Sequence, residues 1–520
     1  MKQTKTKVIF LWHMHQPYYK LPNSKYYILP WVRLHGVKDY YGMAKLLEQF
    51  DKVKVTFNFS GILLHQILDY TENKTQDYYG LLSLKEPSSL TKKEKNFIMD
   101  RFFSVNFERF IRPNKRYIQL YQKKSIKANF SYQDISDLQA IYNLCWFHPL
   151  TIREDKNLQG LIEKGRDYNQ DDKEYIINKQ YEILSLILPL YRKLLDKGRI
   201  ELSLTPYMHP IMPLIYDTDI VKEFPYLKKP LVRFSYPKDC IWHIVRSKEI
   251  FNKVFSKDIK GSWPSEGSIS QDVAKLYTKQ GFNWIGADEG GLFKSLVSEF
   301  VPYETVKTQR HLIYKPYSFN GLNIFFRDRN LSDTISFVYQ GWEDTVFAAN
   351  DLLEHFKRIH YYAKDMVNNR VITIIMDGEN AWEYYKNNGL EFLEVVYSGL
   401  ENSDILSSTT PTEFLLESAS KPLKKLSSGS WINTDFGVWI GSKSNNANWV
   451  ILKKLRDWID KFKEKNIKER ALEYFYILEG SDWNWWNTFE ESRGDFKKIF
   501  FSYVKEICRL LGKDFSSLVK

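Results

Sequence analysis

Val371-Ile372-Thr373-Ile374-Ile375-Met376-Asp377-Gly378-Glu379-Asn380-Ala381-Trp382-Glu383 is the stretch from which the rest of the chain can be read. Its first six residues are apolar or β-branched and predict a buried strand. The strand delivers Asp377, Glu379 and the Trp382 indole at the point where it must stop, and Gly378 and Asn380 permit a tight turn there. A comparable setting lies upstream in Gly261-Ser262-Trp263-Pro264-Ser265-Glu266-Gly267-Ser268. Two carboxylates, each beside a tryptophan and each at a strand end, point to acid chemistry on a sugar.

Working outward, short β-rich runs recur at 8–12, 53–59, 200–204, 259–263, 284–286, 322–326 and 371–376. Helical periodicity fills most of the intervals, most clearly at 39–50, 271–280 and 342–366. Strands alternating with helices predict a parallel sheet, and seven such units predict an α/β barrel. Barrel chemistry gathers at the C-terminal ends of the strands. Here those ends are rich in ionisable and aromatic residues: His13 to Pro17, Ser60-Gly61, Thr205 to Pro210, Trp263 to Glu266, Ala287 to Glu289, Arg327 to Arg329 and Asp377 to Glu379. The interval from about 62 to 198 is too long for one crossover and carries helical patterns at 92–107, 134–146 and 173–195, which predicts a helical insertion over the barrel mouth. After about residue 400 the pattern changes to polar loops and then amphipathic helices at 448–463 and 495–511, with Ser407-Ser408-Thr409-Thr410-Pro411 as the boundary. The expected organisation is a catalytic barrel over 1–400 and a helical domain over 401–520 that contributes to the active site.

With 520 residues and 43% apolar content the chain can bury a large core. The net charge of +12 comes from lysines spread among acids, as in Asp460-Lys461-Phe462-Lys463-Glu464-Lys465. That is a solvated surface and not a clustered nucleic-acid face. Three scattered cysteines suggest neither a disulfide framework nor a CxxC metal site. The apolar stretch at 8–12 is too short for a signal sequence and no run reaches a membrane span, so a cytoplasmic protein with no membrane partner is expected. Aromatic content is 16%, and Trp483, Trp485 and Trp486 crowd beside Ser481, Asp482, Asn484 and Asn487. Indole faces against pyranose rings account for that mixture, and so does a corner of packed indoles.

The ordered set His13-Met14-His15-Gln16-Pro17, Trp31-Val32-Arg33-Leu34-His35-Gly36, Trp263-Pro264-Ser265-Glu266-Gly267, Asp377-Gly378-Glu379-Asn380 and Ser481-Asp482-Trp483 resembles glycoside hydrolase family 57. Members resembling this chain act on α-glucans as α-amylases, amylopullulanases, 4-α-glucanotransferases and branching enzymes. The Trp263–Ser268 and Asp377–Glu383 segments look closest to the amylase and amylopullulanase branch. The resemblance implies an incomplete (β/α)7 barrel followed by a helical domain. It also implies a retaining mechanism on α-1,4 linkages, with α-1,6 cleavage and chain transfer as alternatives. Glu266 would be the nucleophile and Asp377 the acid/base. His13, His15, His209, Trp263, Asp328, Glu379, Trp382, Asp482 and Trp483 would bind substrate, and no cofactor or metal is expected. Retention needs two carboxyls ~5–5.5 Å apart, one ionised and one protonated. Glu379, together with partial burial, is expected to repel a second charge and keep Asp377 protonated, and cationic or hydrogen-bonding His13 and His15 to help hold Glu266 ionised and grip sugar hydroxyls.

Each residue also has a plainer reading. Asp377 alone is a helix N-cap, Glu266 a solvated loop acid, and Asp482 with Trp483 a cap and a core indole. His13 and His15 face one side of a strand and also suit a metal pair, although no third ligand is evident from spacing. The competing functions are a metal-dependent deacetylase or mannosidase on a related barrel and a non-catalytic glycan binder.

Overall fold

The computed structural model describes residues 5–298, 301–489 and 494–519. Among them are ten strands: β1 Thr6–Met14, β2 Val55–Ser60, β3 Ile200–Thr205, β4 Gly261–Ser262, β5 Trp284–Asp288, β6 Tyr317–Phe319, β7 Leu322–Arg327, β8 Val371–Asp377, β9 Leu406–Ser408 and β10 Lys421–Pro422. They form one sheet in the order β10-β6-β7-β5-β4-β3-β2-β1-β8, with β9 also on β1. Every pairing is parallel except the β6–β7 hairpin, whose turn is Asn320-Gly321 with both residues at positive φ. The seven expected strands are β1, β2, β3, β4, β5, β7 and β8, curled into an incomplete (β/α)7 barrel. No ladder joins β7 to β8 among the described residues. The seam there is bridged by Asp328 N–H to Thr373 O at 2.8 Å and Arg327 Nε to Ile375 O at 2.7 Å.

Strand alternation separates two cores. On β1, Val8, Phe10, Trp12 and Met14 join the large cluster under the helices, whereas Ile9 and Leu11 join Trp263, Trp284, Phe325, Val371 and Ile375 in the barrel interior. Side chains two apart share a face of a strand, so His13 continues the row of Ile9 and Leu11, and Asp377 continues that of Ile375. The apolar interior therefore ends in polar groups at the C-terminal rim.

Between β2 and β3 lies the helical insertion, from Gly61–Thr71 to the 27-residue helix Gln170–Asp196. It packs around the fully buried Arg33 of the short helix Trp31–His35 that follows β1, and Arg33 donates to Asp77 Oδ2 at 2.6 Å and to Asn143 Oδ1 at 2.9 Å. Arg33 Nη1 also contacts Gln180. The C-terminal helices Lys443–Lys461, Lys465–Leu478, Asp482–Phe489 and Asp495–Leu510 pack together and present Asp482 to the barrel rim. The expectation of a five-residue strand at 259–263 gives way to a two-residue β4, because the chain at Trp263 already turns into the Glu266 loop.

Candidate active site

A cavity of about 500 Å³ opens at the C-terminal rim. Its lining includes His13, His15, His209, Glu266, Asp377, Glu379 and Asp482, drawn from β1, the loops after β3 and β4, β8 and the C-terminal helices. His13 pairs in register with Asn58 and with Asp377 on its two neighbouring strands. Its Nδ1 donates to Asn58 Oδ1 at 2.7 Å.

Glu266 sits at φ 56°, ψ 25°, a left-handed conformation that a residue with a Cβ rarely adopts. The loop that holds it there is closed by Trp431, whose backbone N–H donates to Glu266 O at 3.0 Å and whose Nε1 donates to Glu266 Oε2 at 2.8 Å. Gly267 follows because a Cβ there would come within 2.6 Å of the Trp263 ring. Gly378 serves the same purpose beside Asp377: a Cβ would meet Met14 Sδ at 2.4 Å, so close approach and not turn geometry requires the glycine.

Burial, followed by the charges of Asp377 and Asp482, pushes the Glu266 carboxyl up to about 8. Burial also raises Asp377, opposed by the hydrogen bond from Asn380 Nδ2 at 2.9 Å and by His15 and Arg327. The two acids thus hold a proton between them in the neutral range.

Two electrostatic expectations meet the burial of the site. Glu379 and Asp377 repel each other's charge while burial disfavours charge on both, and Glu379 is raised well above its ordinary value. The Glu379 Oε1 accepts from His15 N–H at 3.2 Å and Gln16 Nε2 at 3.1 Å, while the buried Oε2 has no hydrogen-bond partner among the described residues. His13 is not cationic: burial and the neighbouring His15 lower it to about 3, and burial also lowers His209 well below its ordinary value. Neutral rings then order the hydrogen bonds. With Nδ1 donating to Asn58, His13 Nε2 accepts from His209 Nε2 at 3.1 Å, and His209 Nδ1 accepts from Ser481 Oγ at 2.8 Å.

The third potential metal ligand that spacing did not reveal comes from distant segments. One ligand atom each of His15, His209 and Asp482 lies within 4.8 Å of the others. The His15 and His209 rings, however, stack with centroids 3.9 Å apart and planes 10° from parallel. Parallel rings send their in-plane lone pairs side by side, whereas a tetrahedral cation needs them to converge at ~2.0–2.1 Å. The trio fits a hydrogen-bonding cluster, with His15 Nε2 at 3.2 Å from Asp482 Oδ1, better than it fits a metal.

Four residues expected to bind substrate lie outside the cavity lining. Trp263 is fully buried in the barrel interior, 5.4 Å ring to ring from Trp431. Trp382 packs on Trp12 and donates Nε1 to Gly378 O at 3.1 Å, so it supports the Asp377 turn from behind. Asp328 caps the helix Arg329–Asp333 and pairs with Arg310 at 2.9 Å. Trp483 is buried with Nε1 on Ile477 O at 2.7 Å, whereas its neighbours Trp485 and Trp486 line the cavity. A run of alternating indoles on one helix cannot all face one way, and the sequence does not say which turns inward. Sequence reading also missed Trp31, Trp146 and Trp431 in the lining, together with Arg101 and Asp495, which form an ion pair of 2.7 Å at the cavity wall.

Comparison with known proteins adds the family. No curated protein sequence matches the chain closely enough to count as a relative. Among solved structures, the GH57-type branching enzyme from Pyrococcus horikoshii is similar at 13% identity and a TM-score of 0.63, covering 99% of this chain and 96% of that one. The α-amylase AmyC from Thermotoga maritima is similar at 13% identity and a TM-score of 0.61, with the same two coverages of 99% and 96%. The 4-α-glucanotransferase from Thermococcus litoralis, at 14% identity and a TM-score of 0.55, covers 97% of this chain and 60% of its own length. At such identities the likeness is one of fold. The sequence pattern named Glycosyl hydrolase family 57 matches residues 9–425, more than three quarters of the chain, and the chain belongs to that family.

Proposed function

We propose that this chain is a retaining α-glucan-active enzyme in which Glu266 attacks the anomeric carbon and Asp377 protonates the departing oxygen. The observation that carries the reading is the opening of both carboxyls into one rim cavity, close enough for the charge of Asp377 to raise Glu266. The productive microstate places the shared proton on Asp377. The Trp431 indole N–H stabilises charge on Glu266 and favours that arrangement. His13, His15, His209 and Asp482 form a polar wall suited to sugar hydroxyls, and the Glu379 carboxyl adds a buried oxygen unpaired among the described residues. Trp31, Trp146, Trp431, Trp485 and Trp486 supply flat apolar faces for pyranose rings.

α-1,4 hydrolysis is the first reading. Chain transfer is the second, favoured by this aromatic lining, which can hold an acceptor sugar where water would otherwise resolve the intermediate. No helix among the described residues is long and apolar enough to cross a membrane. Incubation with amylose, pullulan and maltoheptaose, followed by separation of products, tests the proposal. Shorter oligosaccharides at once indicate hydrolysis, and longer ones early indicate transfer. Both should vanish in Glu266→Gln and Asp377→Asn, by about ten-thousand-fold for a group acting directly in the transition state. Full activity in either folded variant would refute the assignment.

A further inference from the structure

Four ionisable side chains that do not line the cavity are buried together behind it: Asp239 and His243 on the helix Pro237–Phe255, Arg456 on the helix Lys443–Lys461, and Glu479 just after Lys465–Leu478. Groups of this kind are rarely buried without partners, and here a hydrogen bond joins His243 to Glu479 and an ion pair joins Arg456 to Asp239. His243 Nδ1 accepts from Met208 N–H at 3.4 Å, and its Nε2 donates to Glu479 Oε2 at 2.8 Å. Burial lowers the ring to about 3, so it is neutral, with the one acceptor and one donor that these partners require. Burial raises both the Asp239 and Glu479 carboxyls to about 8, Asp239 also through the charge of Glu479, and the buried Glu479 Oε1 has no hydrogen-bond partner among the described residues. Arg456 Nη1 compensates the remaining charge on Asp239 Oδ2 at 2.6 Å.

The two segments joined by the His243 ring are the ones that carry His209 and Asp482. Tyr207 N–H donates to His243 O at 3.0 Å, and His209 O accepts from Ser481 N–H at 3.1 Å. Pro210 and Gly480 form an antiparallel bridge beside them. His209 itself is held at φ 55°, a strained position for a residue with a Cβ that needs support from its surroundings. Sequence offers no hint of the arrangement, since His243 and Glu479 are 236 positions apart.

We propose that His243 and Glu479 are positioning residues that clamp the 207–210 segment to the 479–482 segment and so fix His209 against Asp482 across the cavity. The inference deepens the proposed function and rests on it where it treats the cavity as a sugar site. It is tested by comparing His243→Leu, which fills the space without polar atoms, with His243→Gln, whose carbonyl can accept from Met208 N–H and whose amide can donate to Glu479. Misplaced groups around a reacting centre cost about a hundred-fold, so His243→Leu should lose most of its kcat on maltoheptaose at nearly unchanged KM, and His243→Gln should regain it to within about five-fold.

An independent arm reads the clamp without turnover. With ¹³C-labelled histidine, the ring signals of His15 and His209 should move in His243→Leu and return in His243→Gln. If wild-type protein proves inactive on the glucan, that falls on the proposed function, and the ring signals still decide the clamp. Should His243→Leu not fold, Glu479→Ala against Glu479→Gln supplies the same contrast, because the glutamine carbonyl can still accept from His243 Nε2. Folded His243→Leu or Glu479→Ala with wild-type kcat and unmoved His15 and His209 signals would overturn the inference.

Discussion

Trp431 shows how much a single side chain outside every recognisable motif can matter. Among the described residues its indole N–H is the one hydrogen-bond donor to the Glu266 carboxyl, and the guanidinium of Arg327 lies 5.3 Å over its ring. Hydrogen bonds to charged groups contribute about 1.5–3 kcal/mol. Trp431→Phe should therefore lower kcat by roughly ten- to a hundred-fold while the protein stays folded. The pH profile supplies a second readout. Burial already raises Glu266 to about 8, and the indole opposes that rise. Removing the donor raises the carboxyl further, so the alkaline limb of activity, where the acid pair loses its proton, moves to higher pH in the variant. A limb that stays put would show that Trp431 does not set the charge on Glu266. The rim position of Asp377 was legible because it closes an apolar run, and that of Glu266 because it follows Trp263 at a strand end. Trp431 was not, because it sits in a loop 165 positions from its partner. Trp263 and Trp382 were misjudged for a related reason: an indole beside an acid looks the same whether it turns toward solvent or toward the core.

Strands were the most legible elements, since their apolar runs have the period and length of buried parallel strands. Alternation along β1 and β8 also fixes which polar residues follow the interior row, and it places His13 and Asp377 correctly. The antiparallel β6 escaped notice although Asn320-Gly321 is a strong hairpin signal, because its three residues are too few to show a period. The helix Lys465–Leu478 was likewise obscured by its charged first turns. At the junction of β8 with its loop, Gly378 leaves no room for a side chain between Asp377 and Met14. Gly378→Ala should destabilise the protein by about 1–3 kcal/mol through overpacking and displace Asp377 enough to lower activity. Met14→Ala, added to it, removes the colliding sulfur and should restore much of the activity. Urea denaturation and kinetics of the single and double variants check both statements. Failure of the second change to recover activity would mean that Gly378 acts through something other than this contact.

Across the whole molecule, the site is completed only where three separate parts of the chain meet. The barrel supplies both acids, the insertion supplies Trp146 and Arg101, and the C-terminal helices supply Asp482, Trp485 and Trp486. Motif order implied this convergence, but the partners that enforce it, His243 with Glu479 and Arg101 with Asp495, are ordinary helix residues until the fold brings them together. The open seam between β7 and β8 has the same character: a missing ladder leaves no trace in either strand's sequence. The most direct test of the account is covalent trapping. The protein would be incubated with a glucosyl fluoride carrying a second fluorine beside the ring oxygen, which slows release of the glycosyl-enzyme, and then digested for peptide mass spectrometry. A Glu266 nucleophile predicts a single fluoroglucosyl group on the peptide containing Glu266, absent from Glu266→Gln. A label on another carboxylate, or a Glu266→Gln variant that labels and turns over like the wild type, would contradict it.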